Sequence, residues 1–206
     1  MKYFPFCLIV LLAACKMNNK PKTYTAEEIA AESKKVNDFL DVRYDEAIAR
    51  NPEHASSLGL KIGYDSWSDH SDENADKELA IAKATLDSIN TKFNLDALDA
   101  QTKLSVRMFG EDIKRWEEGN KYRHHGFEIT QMGGVHNDLP AFLINIHRVD
   151  SVTDAEAYLS RLKKLDKVFD QTIENLKKSE AIGVIPPHFT FKYVTDDLNN
   201  LIACCD

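Results

Sequence analysis

Apolar residues recur at helical spacing in four long stretches of this chain, and that periodicity decides the fold class before composition is considered. Leu79, Ala82, Leu86, Ile89 and Phe93 stand 3, 4, 3 and 4 residues apart, which places them on one face of a helix predicted from about Glu73 to Phe93. Ile29, Val36, Leu40, Tyr44 and Ile48 mark a helix from about Ala26 to Arg50, opened by the capping box Thr25-Ala26-Glu27-Glu28 and stopped by Pro52. Leu98, Thr102, Val106, Phe109, Ile113 and Trp116 stripe a third, from Ala97 to Tyr122 with Asp96 as its cap. A fourth, from Asp154 to Ala181, carries Ala155, Tyr158, Leu162, Leu165, Phe169, Ile173 and Leu176 behind a second capping box, Thr153 to Glu156. Phe189 to Cys205 begins a further helix, while Asn51 to Ser71 has no sustained period and reads as a structured loop.

Each stripe has to be buried against another, and no strand-like alternation of useful length competes. The predicted class is therefore all-α, with long antiparallel helices joined by structured loops. The helical domain is placed at residues 25–206.

The first residues set the compartment. Lys2 precedes a short apolar run from Tyr3 to Ala14, and Leu12-Ala13-Ala14-Cys15 follows the pattern of a bacterial lipobox. Residues 1–14 read as a lipoprotein signal peptide, since a membrane-crossing helix needs about 20 apolar residues. Cys15 is the predicted lipidation site, where several acyl chains would give a stable anchor on a membrane of the cell envelope. Residues 15–24 have little apolar content and read as a flexible tether. Loss of Lys2 with the leader makes the formal net charge of -7 one unit more negative, which argues against nucleic acid as a partner. The paired Cys204 and Cys205 near the end suggest no disulfide framework.

The stretch from Gly126 to Arg148 combines histidines, a glycine pair and a proline, so it is where chemistry is sought first. His124, His125 and His136 are the candidate metal ligands. Their spacing matches no zinc pattern, and a helix end with two histidines on its dipole accounts for the first two. Gly133 and Gly134 read as a turn needing positive φ, with an anion-binding nest as the functional alternative. Leu139 to Ile144 looks like a short buried helix with Pro140 in its first turn and His147 near its end. Arg161 reads as a surface ion-pair partner of Asp154 or Glu156, or of the third helix, with a carboxylate clamp as the alternative. Asp65, Asp69, Asp72 and Glu73 lack the order of a calcium loop and read as a solvated acidic segment. No HExxH, GxSxG, GxxxxGK[ST] or CxxC occurs in the chain.

Taken together, the motifs have a recognisable order. Pro52-x-x-Ala55-x-x-Leu58-Gly59 and the acidic loop ending at Ser71 come first. Gln131-Met132-Gly133-Gly134, Leu139-Pro140, Leu143 and His147 follow. Then come Asp154-Ala155-Glu156-Ala157-Tyr158-x-x-Arg161-Leu162 and Gly183-Val184-Ile185-Pro186-Pro187. This order resembles the amino-terminal third of the bacterial family catalogued as domain of unknown function 885. The resemblance implies a largely helical envelope lipoprotein related to zinc metallopeptidases of the gluzincin type, whose HExxH lies downstream of the region matched here. No family catalytic residue can be carried over. Zinc is implied for the full-length family and no cofactor for this chain.

The resemblance further implies that these helices form a wall of a substrate cleft, with Gly133, Gly134, His147 and Arg161 as cleft-forming candidates and a peptide-like molecule as the ligand. Two functional expectations stand. One is the amino-terminal part of a metallopeptidase-like lipoprotein, truncated and inactive by itself. The other is a complete, non-catalytic lipoprotein that binds or scaffolds.

Overall fold

The fold is all-α in a computed structural model that describes residues 22–203; the leader, Cys15, most of the tether, Cys204 and Cys205 lie outside the described residues. The elements are α1 (Ala26–Ala49), α2 (Pro52–Ser57), α3 (Asp72–Lys92), α4 (Ala100–Asn120), α5 (Val135–Asn145), α6 (Val152–Lys163), α7 (Leu165–Ala181) and α8 (His188–Ala203), with a 3₁₀ turn at Leu95–Ala97.

The first three stripes pack as their spacing requires. Val36, Ile89, Leu98 and Val106 form a buried core ringed by Phe39, Leu40, Phe93, Leu95 and Phe109, so α1, α3 and α4 make one bundle. Each such residue contributes about 1.5–3 kcal/mol when fully buried. Thr25 forms the expected reciprocal capping box with Glu28. Tyr44 and Trp116 are exceptions to the stripes, because both are exposed.

Several boundaries fall elsewhere than the pattern suggested. The stretch read as a loop contains α2, capped by Asn51 with Pro52 in its first turn. The cap of α4 is Asp99, whose side chain accepts from the Thr102 amide, because Leu95–Ala97 closes a 3₁₀ turn before it. Ser151, not Thr153, caps α6 through the Asp154 amide. The stretch predicted as one helix after it breaks at Lys164. There the Arg161 carbonyl takes the Trp67 indole N–H at 2.9 Å, and the Lys164 ammonium reaches back to the Asp65 carbonyl, also at 2.9 Å. The carbonyl that a continuous helix would offer to Leu165 is thus shared between the Trp67 indole and the Lys164 amide, the latter at 3.1 Å.

Helix α5 begins four residues before Leu139, and Pro140 lies inside it rather than in its first turn. The helix is launched by a tight turn in which Thr130 and Gly133 exchange backbone hydrogen bonds at 3.0 and 3.3 Å. Gly134 follows at φ 136, where a Cβ would lie 2.9 Å from the Glu128 carbonyl oxygen. Of the glycine pair, only Gly134 needs to be glycine; a Cβ on Gly133 would meet nothing within 4 Å.

Replacing Gly134 by Ala is expected to cost about 2 kcal/mol or more in urea unfolding, from backbone strain and the clash together. Gly133→Ala is expected to change stability by less than about 0.5 kcal/mol. Equal effects at the two positions would contradict this account of the turn.

Candidate functional site

The segment between α2 and α3 is held down by one fully buried side chain. Arg161 of α6 is 0 % exposed. Its Nε donates to the Ser66 carbonyl at 2.9 Å, one Nη to His147 Nδ1 at 2.9 Å, and the other to Ser56 Oγ at 3.0 Å and the Pro52 carbonyl at 3.3 Å. The rings of Tyr64, Trp67 and Phe142 lie 5.1, 5.4 and 5.0 Å from the guanidinium carbon. Arg161 is therefore neither a surface ion-pair partner nor an exposed clamp, and every group it bonds is neutral. Burial pushes its pKa down, yet so strong a base remains a cation.

His147 completes the network. Its Nε2 lies 3.2 Å from the Asp154 carbonyl, which fixes the proton there and leaves Nδ1 to accept from Arg161. Burial first, and then the charge of Arg161, favour the neutral ring despite the opposing bond to Asp154. Tyr64 stacks on it at 4.2 Å, and the Tyr64 hydroxyl both donates to the Arg148 carbonyl and accepts from its amide. Asp154 sits beside this cluster, 2.8 Å from the Lys61 ammonium.

A cleft of about 790 Å³ opens in front of this cluster, walled by the end of α1, α2, α3, α4 and α5. Its aromatic lining is Trp67, Phe142 and Trp116. Trp67 is fixed through its indole N–H on Arg161 and packs 5.3 Å from Phe142. Trp116 on α4 is 40 % exposed. Two ion pairs occupy the polar walls. Arg50 and Glu78 bond in bidentate fashion at 2.6 and 3.0 Å. Glu53 accepts from the Ser68 amide and hydroxyl and lies 3.6 Å from His70 Nε2. Burial alone would raise the Glu53 pKa, but the bonds from His70 and Ser68 outweigh it and hold the carboxyl below its usual range. The same carboxylate pushes the His70 pKa up.

The structure separates the residues singled out from the sequence. Gly133 and Gly134 lie in the turn that launches α5, while His147 and Arg161 lie behind the aromatic wall; none of the four lines the cleft. His124 Nε2 is 2.9 Å from Asp72, which also takes Lys178 at 3.0 Å. His125 packs edge-on against Tyr122. His136 is buried on α5; its ring nitrogens have no hydrogen-bond partner among the described residues, and Nε2 lies 3.9 Å from Asp197. Among the described residues no group of three or more His, Cys, Asp or Glu side chains is placed to hold a metal ion. Asp65, Asp69 and Asp72 have separate partners in Lys164, Gln171 and His124. Sequence reasoning missed Arg50, Glu53, Trp67, His70 and Glu78 as a group. The available signal was that Trp67, one of the two tryptophans of the chain, stands within this polar stretch.

Lys61 foremost lowers the Asp154 pKa from 3.8 to about 2. A depressed carboxyl stabilises the fold fully above its unfolded value and loses that contribution as pH falls through the folded one. The melting-temperature gap between wild type and Asp154→Asn is expected to be full above pH about 4 and to close as pH approaches 2. A gap that stays constant across this window would contradict the pairing.

No curated protein and no solved structure matches the chain. The family model described as "Bacterial protein of unknown function (DUF885)" matches residues 52–206. The match starts at the first residue of α2, so it takes in the whole Arg161 network and every element of the cleft except α1. On that match, which spans most of its length, the chain belongs to the DUF885 family of bacterial proteins.

Proposed function

We propose that the protein is a lipid-anchored component of the bacterial cell envelope, held on a membrane through Cys15. Its helices form the wall of a cleft for a peptide-like ligand and are non-catalytic by themselves. The metallopeptidase-like kinship is part of this proposal and rests on the resemblance described above. The observation that carries the reading is the cleft itself, with three aromatic side chains and two internal ion pairs on its walls. Such a mixture of flat apolar surface and fixed polar groups suits a ligand that carries both.

No helix among the described residues is long and apolar enough to cross a membrane. One further feature supports the reading of a cleft wall. An apolar groove of about 410 Å³ runs between α7 and α8, with Ile173, Ile185 and Phe191 among its exposed lining. Surfaces of that kind suit packing against more polypeptide, as a wall of a larger assembly would. Zinc belongs to the full-length family by resemblance. The described residues do not fit a zinc centre, since none of their histidines is grouped with two further ligands, and no chemical step is derived through one.

Cells producing the full chain or its Cys15→Ser variant can be separated into membrane and soluble fractions. The unaltered chain is expected in the membrane fraction with the added mass of its acyl chains, and the variant in the soluble one. A soluble, unmodified wild type would contradict the anchor. Incubated with peptides and zinc, the purified chain is expected to release no fragments, and zinc-dependent cleavage would overturn the non-catalytic reading.

A further inference from the structure

The cleft has a charge bias and an apolar annex that together narrow its ligand. Four carboxylates line it, those of Glu53, Asp69, Glu78 and Asp138, against the single guanidinium of Arg50 and the imidazole of His70. Glu78 is matched by Arg50, and Glu53 by His70. Asp69 is engaged by Gln171 and the Ser71 amide, with Lys167 more distant at 3.9 Å. Asp138, in the first turn of α5, has no side-chain partner among the described residues and is exposed at the cleft wall. The cationic Arg161 behind the aromatic wall offsets part of this bias.

Beside the cleft lies a second pocket of about 440 Å³ with a mainly apolar lining that includes Leu40, Ile81 and Phe109. Ala47, Arg50, Glu78 and Trp116 border both spaces. A ligand lying across this shared border would place one part among carboxylates and aromatic faces and another among aliphatic side chains. An ammonium group suits the first environment, because it is attracted both to carboxylates and to the faces of tryptophan rings. A bulky apolar side chain suits the second.

We propose that the cleft binds a peptide-like molecule through a free ammonium group held near Asp138 and the tryptophans, with a neighbouring apolar side chain seated in the adjoining pocket. This deepens the peptide-cleft reading above and rests on it. The negative lining disfavours a ligand that presents a carboxylate at the same place, so the cleft discriminates by charge sign as well as by apolar surface.

The full chain carries its own reporter, since Trp67 and Trp116 are its two tryptophans and both line the cleft. The probes are phenylalanyl-leucine amide, with a free amine; its N-acetyl derivative, which is uncharged; and N-acetylphenylalanyl-leucine, which is an anion. Tryptophan fluorescence is followed while each is titrated to millimolar concentration. The amine form is expected to bind tightest, to weaken with added salt, and to lose roughly three- to tenfold in affinity with Asp138→Asn. Asp138 is exposed, so that variant is expected to keep the wild-type melting temperature, and Asp138→Lys is expected to weaken the amine form further. If the acetylated amide binds as tightly as the amine, or the anion binds tighter, the ammonium assignment is overturned while the peptide-cleft reading stands. If none of the three changes the fluorescence, both readings fall.

Discussion

A cation with no acid in contact among the described residues ties α6 to α2, to the segment after α2 and to the turn after α5. Moving a charge out of water is costly, and in most proteins a buried arginine recovers that cost from a carboxylate. Arg161 instead recovers it from two carbonyls, a hydroxyl, an imidazole and three aromatic faces. Those groups come from α2, from the segment that follows it, from α5 and from the turn after α5. Three parts of the chain, α2, the segment after it and the turn after α5, are therefore fixed relative to one another by the donors of a single side chain, whose planar fork sets their geometry, and α5 is held against its face through Phe142. His147 is part of the same arrangement, because only its neutral form can both donate to the Asp154 carbonyl and accept from Arg161.

The cleft follows from that arrangement. Ser66 and Trp67 are drawn onto Arg161, and the indole ring is set against Phe142, so one wall of the cleft is the outer side of the buried network. The opposite side belongs to the bundle of α1, α3 and α4, which carries Arg50, Glu78 and Trp116. Two different kinds of stability meet there. The bundle is held by apolar burial around Val36 and Ile89, and the second half adds to its buried Leu139, Leu143 and Val168 a set of polar bonds centred on Arg161. A directional network positions side chains more sharply than non-directional apolar contact, which suits a wall that has to present an indole in one orientation.

The sequence revealed the first half of this design far better than the second. Long stripes such as Leu79 to Phe93 repeat often enough to define a helix and its buried face. Helix α2 is too short for any period to show. The break at Lys164 was not legible, because its cause is a contact between the Arg161 carbonyl and Trp67, far away in sequence. Arg161 looked like a surface residue because arginines usually are, and its acceptors are backbone carbonyls and small side chains that carry no sequence signature. The histidines at 124, 125 and 136 drew attention by their density, yet the chain distributes them to three environments. His70, in a segment that read as a structured loop without periodicity, is the histidine on the cleft wall.

The central claim is tested most directly by urea unfolding of Arg161→Met, followed by tryptophan fluorescence, with Arg161→Lys alongside. Methionine keeps the apolar volume but leaves the Ser66 and Pro52 carbonyls, Ser56 Oγ and His147 Nδ1 without their shared donor. A loss of about 3 kcal/mol or more is expected, with a changed native-state emission as Trp67 loses its seat. Lysine, with donors but no planar fork, is expected to fall between methionine and wild type. An Arg161→Met protein with wild-type stability and unchanged native fluorescence would contradict the claim that this buried cation organises the fold and its cleft.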